Sequence, residues 1–138
     1  MPRRRRRRAV CLAALALAGC GETDPDELRR AAESLVPAEG RIVAREEGSC
    51  LQLVAEPSCI EVEYLIRARS HAERTELVRT AARSGDWEAT GEERGSRVAF
   101  LYFERDGYEA TVTILKDDWR ALCTNMTECG DSVRVVRS

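Results

Sequence analysis

The sequence predicts an α+β fold, a two-layer sandwich in which two amphipathic helices lie on a mostly antiparallel sheet. Apolar residues recur at helical spacing in two segments, 28–36 and 77–82. Residues 60–68 alternate between apolar and charged side chains, which is typical of a half-buried strand. The turn sequence Asp106-Gly107 joins two further alternating segments. Because helix stripes and sheet faces of this kind must both be buried, we expect them to pack together.

The first helix is predicted to begin at Asp24, with Pro25 at the first helical position and Glu27 completing a capping box. We expect Pro37 and Gly40 to end it. Its apolar stripe consists of Leu28, Ala31, Ala32, Leu35 and Val36. The second helix is predicted to follow the capping box Ser70-His71-Ala72-Glu73 and to run to about Arg83, before Gly85. Its inner face consists of Leu77, Val78, Ala81 and Ala82.

Several short segments are predicted as strands by their alternation and by the turn residues around them. They are residues 41–46, Cys59–Ala68, Asp86–Thr90 and Ser132–Val136, with a minor strand near Leu51–Val54. We expect a charged loop over Gly91–Ser96 and a loop between the hairpin and the last strand. The order of these strands in the sheet does not follow from the sequence.

The hairpin is the most strongly specified part of the predicted fold. A two-residue turn at Asp106-Gly107 sets the register of Arg97–Arg105 against Tyr108–Lys116. The predicted pairs are Arg105 with Tyr108, Phe103 with Ala110, Leu101 with Val112, and Ala99 with Ile114. This register places Ala99, Leu101, Phe103, Ala110, Val112 and Ile114 on one apolar face. The other face carries Val98, Phe100, Tyr102, Glu104, Glu109, Thr111, Thr113 and Leu115. Turn chemistry and apolar pattern therefore agree on one register.

The first twenty residues have the organisation of an export signal. Six arginines, Arg3–Arg8, precede a short apolar run, Ala9–Ala18, and the sequence Leu17-Ala18-Gly19-Cys20 follows. This last stretch resembles the lipobox of bacterial lipoproteins. The resemblance implies cleavage before Cys20, a diacylglycerol thioether on Cys20, and usually a further acyl chain on the new amino terminus. The chain is then expected at the extracytoplasmic face of the cell membrane.

The signal also defines the expected domains. Residues 1–19 are the signal peptide, 20–23 the lipidated cysteine with a short tether, and 24–138 a single α+β domain. The apolar run is about ten residues, roughly half the length of a spanning helix, so we do not expect a transmembrane anchor. An ordinary cleaved signal without a lipid and export by the twin-arginine route are the alternatives.

Charge excludes nucleic acid as the expected partner. The full chain has 22 basic and 24 acidic residues. All six arginines of residues 3–8 leave with the signal, and no acidic residue does, so the mature net charge becomes −8. A domain this acidic repels phosphate backbones and anionic membrane surfaces.

The cysteines predict two disulfides. Cys11 lies in the signal and Cys20 is the lipid site, which leaves Cys50, Cys59, Cys123 and Cys129. An even number of cysteines in an exported domain favours disulfides. Three connectivities are open, and the turn-rich sequence within each local loop favours Cys50–Cys59 and Cys123–Cys129. Zinc knuckles and redox-active pairs have shorter cysteine spacings than these.

No catalytic, cofactor or metal motif is found, and no cofactor is expected. His71 is the single histidine, and we expect it at the surface. Trp87 and Trp119 are candidates either for a recognition surface or for the core, with the core favoured. Phe100 and Tyr102, on the second face of the hairpin, are the candidate partner surface, because helices on the other face would leave them exposed.

The sequence therefore predicts a non-catalytic, lipid-anchored extracytoplasmic binding or interaction domain of unknown ligand, with an envelope protein as the candidate partner. A small hydrolase that uses carboxylates and a purely structural envelope component are the alternatives. The overall plan also resembles small cell-envelope lipoproteins of GC-rich Gram-positive bacteria, in which a helix ends in Gly-x-Trp before a hairpin. Here that motif is Gly85-Asp86-Trp87, and the resemblance implies no activity.

Overall fold

The computed structural model of the protein describes residues 24–48, 59–122 and 130–137. The helices are α1 (Pro25–Glu33), α2 (His71–Ser84) and α3 (Asp117–Leu122). The strands are β1 (Arg41–Gly48), β2 (Cys59–Leu65), β3 (Glu88–Arg94), β4 (Val98–Arg105), β5 (Tyr108–Leu115) and β6 (Asp131–Arg137). The predicted α+β class is confirmed. Within these ranges, none of the helices has the length and apolar character needed to cross a membrane.

The six strands form one sheet in the order β1-β2-β6-β5-β4-β3, and every neighbouring pair is antiparallel. The last strand therefore lies in the middle of the sheet, between β2 and β5. The four predicted hairpin pairs of β4 and β5 are confirmed. Asp106 and Gly107 both have positive φ, of 48° and 82°, as the mirror-image turns of tight hairpins require.

One face of the sheet and the two longer helices share a single core. α1 packs on β2 and β6, whereas α2 packs chiefly on β5 and β3. The helical core residues are Leu28, Ala31, Ala32, Val78 and Ala82. The strand core residues are Ile60, Val62, Tyr64, Leu101, Phe103, Tyr108, Ala110, Val112, Ile114, Val133 and Val135. The apolar face predicted for the hairpin lies on this buried side of the sheet. Alternate residues of each strand point to the same face, and the helices cover that face.

The helix starts follow local capping chemistry. The side chain of Asp24 accepts a hydrogen bond from the backbone N–H of Asp26, the second helical position, at 3.0 Å. A capping box would need the N–H of Glu27, the third position, so the predicted capping box of Asp24 and Glu27 is wrong. Ser70 and Glu73 make both bonds of the predicted capping box, which is confirmed. Gly85 caps the C-terminus of α2, also as predicted.

The first helix is shorter than predicted. α1 ends at Glu33, and the Ser34 hydroxyl donates to the carbonyl oxygen of Ala31 at 2.6 Å. The N–H groups of Leu35 and Val36 bond to carbonyls three residues back, in a tighter turn. Leu35 is nevertheless buried. The position of Leu35 in the predicted apolar stripe therefore reflects its burial in the core, although Leu35 lies beyond the end of the helix.

Two loop predictions are wrong. Residues 91–94 continue β3 past a bulge between Ala89 and Gly91 and do not form a loop. Charged residues are expected on an exposed edge strand such as this one, so charge alone did not indicate a loop. Residues 117–122 form α3, which is too short to show helical periodicity in the sequence. The predicted minor strand Leu51–Val54 lies outside the described residues.

Candidate binding face

The sheet has a second face, opposite the core, which we call the outer face. On the four central strands it carries Val98, Phe100, Tyr102, Thr111, Thr113, Ser132, Arg134, Glu61 and Glu63. Phe103 on the core face is 4% exposed. Phe100 and Tyr102 on the outer face are only half-buried. The structure therefore separates these two aromatic side chains from the core, as the hairpin register predicts.

The two aromatic residues stand beside β3, where their neighbours are a carboxylate and a glycine. Phe100 is paired with Glu93, and Tyr102 is paired with Gly91. Because Gly91 has no side chain, nothing from that position covers the Tyr102 ring. Desolvation, and then the Glu93 carboxylate with its hydrogen bond to the Tyr102 hydroxyl, raise the pKa of Tyr102.

The outer face is strongly acidic. The strand registers assign to it seven carboxylates and two guanidinium groups among the described residues. The acidic residues are Glu46, Glu61, Glu63, Glu88, Glu93, Glu104 and Glu109. The basic residues are Arg41 and Arg134. This excess of negative charge on one side of the sheet attracts cations and repels anions.

Some of these carboxylates stand directly opposite one another. Glu88 pairs with Glu104, and Glu104 pairs with Glu109, so three carboxylates form one row across β3, β4 and β5. Directly opposite side chains on a sheet are about 5 Å apart at Cβ, and like charges at that separation destabilise the pairing. The row continues into Val136 and Cys59, which carry no positive charge. A cation bound at this row would relieve the repulsion.

Two other carboxylates of the outer face, Glu61 and Glu63, have partners. Arg134 lies opposite Glu61, and its guanidinium is 3.6 Å from the Glu61 carboxylate. Glu63 accepts a hydrogen bond from the backbone N–H of Gly130 at 3.1 Å. Glu46 also stands directly opposite Glu61, but Arg134 flanks Glu61 on its other side. The row of Glu88, Glu104 and Glu109 is therefore distinguished by having no arginine opposite any of its members, and it lies next to Tyr102.

The predicted cysteine sites are described in part. Cys59 begins β2, is 1% exposed and is disulfide-bonded. Cys20, Cys50, Cys123 and Cys129 lie outside the described residues, so the local pairing and the lipid site stay predictions.

The expectation that His71 is a surface residue is wrong. The side chain is half-buried, with Nδ1 3.1 Å from the carbonyl oxygen of Leu115. The backbone N–H of His71 donates to the Asp117 carboxylate at 2.8 Å. His71 therefore joins the start of α2 to β5 and α3, and no nucleophile–acid arrangement of a catalytic triad includes it in these contacts.

The two tryptophans lie in different environments. Trp87 is 5% exposed, and its indole N–H donates to the Ser34 hydroxyl at 2.8 Å. The Arg105 guanidinium lies 4.5 Å from the centre of its ring. Trp119 is half-buried beneath Arg97, whose guanidinium is 4.7 Å from the ring centre. The favoured core assignment therefore describes Trp87 better than Trp119.

The most buried charged residues are Arg74 and Asp131, which are 0% and 3% exposed and were not predicted from the sequence. The sequence does contain an indication that Arg74 is buried. Arg74 lies four residues before Val78 and eight before Ala82, which places it on the apolar stripe of the helix. A polar residue within an apolar stripe can mark a buried ion pair. Nothing comparable distinguishes Asp131.

The adjacent acidic residues Glu92 and Glu93 do not converge on a metal site. Glu92 and Glu93 point to opposite faces of β3, since Glu92 pairs with the core residue Leu101 and Glu93 with Phe100. Across the ranges that the structure describes, no group of three or more histidine, cysteine, aspartate or glutamate residues could hold a metal ion.

Comparison with known proteins gives no relative from which a role could be transferred: no protein-family model, no curated protein and no solved structure matches this chain.

Proposed function

We propose that this chain is a non-catalytic, lipid-anchored extracytoplasmic domain that binds a basic segment of an envelope protein on its outer face. The proposal takes the molecule as a two-layer sandwich, with α1 and α2 on the core side and the outer face available to a partner. It assigns the membrane attachment to Cys20 and the recognition to Phe100, Tyr102 and the surrounding carboxylates.

The observation that carries the proposal is the pairing of half-buried aromatic rings with an unneutralised row of carboxylates. Phe100 and Tyr102 supply apolar area for a partner. The row of Glu88, Glu104 and Glu109 supplies negative charge that costs stability in the unbound protein. A segment rich in lysine or arginine complements both the rings and the carboxylate row. Its aliphatic side-chain stems cover the rings, and its positive charges pair with the carboxylates.

The membrane attachment is tested by Cys20→Ser in the full chain. The variant should lose acyl labelling and leave the membrane fraction, because its hydroxyl cannot form the thioether. Cys11→Ser, which changes a cysteine within the signal, is the matched control and should keep both properties. Unchanged labelling and membrane association in Cys20→Ser would remove the lipoprotein assignment.

The recognition face is tested with a photo-crosslinking amino acid in intact cells. Placed at Tyr102, it should capture a partner through a peptide rich in lysine and arginine. Placed at Glu76, an exposed residue of α2, it should capture much less. Tyr102 adducts that match those from Glu76, or a captured segment without basic residues, would contradict the proposal.

The charge requirement is tested separately in the same cells. Replacing Glu88, Glu104 and Glu109 by glutamine should lower partner affinity by about tenfold, equivalent to about 1.4 kcal/mol. A control variant carries the same three replacements on the opposite side of the molecule, at Glu27, Glu47 and Glu76. Because steering between charged surfaces weakens with salt, added salt should also reduce capture by the unmodified chain.

The hydrolase alternative would place its chemistry in a different part of the molecule. A cleft of about 420 Å³ between α1 and the Asp106-Gly107 turn is lined by Glu27, Asp86 and Asp106, together with Arg30 and Arg105. The Arg105 guanidinium is held there by the Gly85 carbonyl oxygen at 2.6 Å and by the Trp87 ring.

A further inference from the structure

A groove on the core side of the sheet forms a second candidate site. α2 packs on β5 and reaches β3, and the groove lies beneath this bridge, over β4. Its volume is about 670 Å³, within the range of pockets that hold drug-sized ligands. The residues that line it come from α2, the Trp87 segment, β3 and β4.

The interior of the groove is apolar. Leu101 and Phe103 of β4 form its floor, and Trp87 closes one side. Its walls carry small side chains, Ala82 on α2 and Ala89 on β3. Ala89 pairs with Phe103 on the core face and yet is exposed. The space beneath α2 is therefore open because no large apolar side chain fills it.

The rim of the groove is cationic. Arg79 and Arg83 line it on the α2 side. Arg79 is engaged by Glu92 of β3, 2.8 Å away, so this ion pair spans the groove between helix and edge strand. Arg83 is 67% exposed, and its contact with the Glu76 carboxylate is 4.0 Å long. Arg83 is thus a cation at the mouth of an apolar groove with little neutralisation.

We propose that this groove binds a single-chain anionic amphiphile of the fatty-acid type. The alkyl chain lies on Leu101, Phe103 and Trp87, where it is removed from water. The carboxylate meets the Arg83 guanidinium at the rim, while Arg79 stays paired with Glu92. Charge complementarity distinguishes this ligand from a neutral or cationic amphiphile, and the volume favours one alkyl chain over two.

Trp87 provides a direct reporter for this site. The chain contains two tryptophans, so Trp119→Phe leaves Trp87 as the sole source of indole fluorescence. Cys20→Ser is added to the full chain so that no acyl anchor competes for the groove. A fatty acid brominated near the middle of its chain is then titrated, and bromine within contact distance of Trp87 quenches the emission. We expect saturable quenching below the concentration at which the fatty acid forms micelles.

Variants of the groove test the assigned residues. Ala89→Phe fills the groove and should weaken binding by about tenfold, whereas Ala44→Phe on the opposite edge strand β1 should not. Arg83→Glu reverses the charge at the rim and should also weaken binding by about tenfold. Arg67→Glu makes the same change of net charge at an exposed residue outside the groove and should leave binding unchanged. Circular dichroism checks that each variant is folded.

Three results would overturn the proposal. The first is the absence of saturable quenching of Trp87 in the folded protein. The second is equal affinity in Ala89→Phe and Ala44→Phe, or in Arg83→Glu and Arg67→Glu. The third is equal affinity for a trimethylammonium amphiphile of the same chain length, measured by its competition with the brominated fatty acid. Reduced binding in both groove variants, with preference for the anionic amphiphile, would support it.

Discussion

Arg74 and Asp131 form an ion pair in the interior of the protein. Nη1 of Arg74 donates to both carboxylate oxygens of Asp131 at 2.7 Å, and the two side chains are 1% and 3% exposed. Nη2 of Arg74 donates to the carbonyl oxygen of Leu115 at 2.7 Å. The Asp131 carboxylate also accepts the Leu115 N–H at 2.9 Å. The pair thereby joins α2 to β5 and to β6, the strand in the middle of the sheet.

Breaking this pair should be strongly destabilising. Arg74→Met leaves the Asp131 carboxylate buried without its counter-charge, which costs about 3–5 kcal/mol of unfolding free energy. Arg79→Met is the matched control, because it breaks the Arg79–Glu92 pair, whose side chains are 37% and 38% exposed. Exposed pairs contribute about 0–1 kcal/mol. Urea denaturation measures both values, and similar losses in the two variants would refute the assignment.

Tyr64 carries a buried hydroxyl beside this pair. The side chain is 0% exposed, and its hydroxyl has no hydrogen-bond partner among the described residues. Tyr64→Phe removes an unsatisfied polar group without removing the ring. We expect the free energy of unfolding at neutral pH to stay the same or to rise by about 1–2 kcal/mol. Urea denaturation checks this, and a loss of stability would show that the hydroxyl makes a favourable interaction.

Tyr64 also predicts a loss of stability at alkaline pH. Burial first, and then the Asp131 carboxylate, raise the pKa of Tyr64 well above its ordinary value, while Arg74 lowers it in part. A tyrosine in the unfolded chain ionises near pH 10. The contribution of the neutral Tyr64 side chain to the free energy of unfolding is therefore complete below about pH 10. It is lost as the pH rises towards the pKa of Tyr64 in the folded state. In Tyr64→Phe, the free energy of unfolding should fall less steeply above about pH 10 than in the unmodified chain.

The two faces of β4 should respond differently to truncation. Phe103→Ala removes a core side chain that is 4% exposed, and such a change costs about 3–5 kcal/mol. Phe100→Ala removes a half-buried ring from the outer face, so it should cost roughly half as much. Urea denaturation compares them. Equal costs would mean that the Phe100 ring is packed as fully as the Phe103 ring and is not available to a partner.

The disulfides are expected to be local. Cys59 should be joined to Cys50, and Cys123 to Cys129, with no free thiol among the four. Because each loop is short, losing one bridge should cost only about 2–3 kcal/mol. Non-reducing peptide mapping of the exported protein tests the pairing. A linked peptide containing Cys59 together with Cys123 or Cys129 would show the predicted connectivity to be wrong.

Local chemistry accounts for what the sequence by itself determined. The register of β4 and β5 follows from a two-residue turn that needs positive φ at Asp106 and Gly107. The start of α2 follows from Ser70 and Glu73, three residues apart. In both cases the interacting groups are close in the chain, so the residue types were enough to indicate the structure.

Tertiary structure decided the features whose partners are distant in the chain. Arg74 is buried because β6 brings Asp131 to it from 57 residues away. Residues 91–94 extend β3 because β4 offers them backbone hydrogen bonds. The acidic row on the outer face arises only when three strands stand in register. The residue pattern of one segment contains no information about the charges or hydrogen-bonding groups that another segment places beside it. The buried ion pair, the pairing of the edge strand and both proposed sites could therefore be identified only from the assembled sheet.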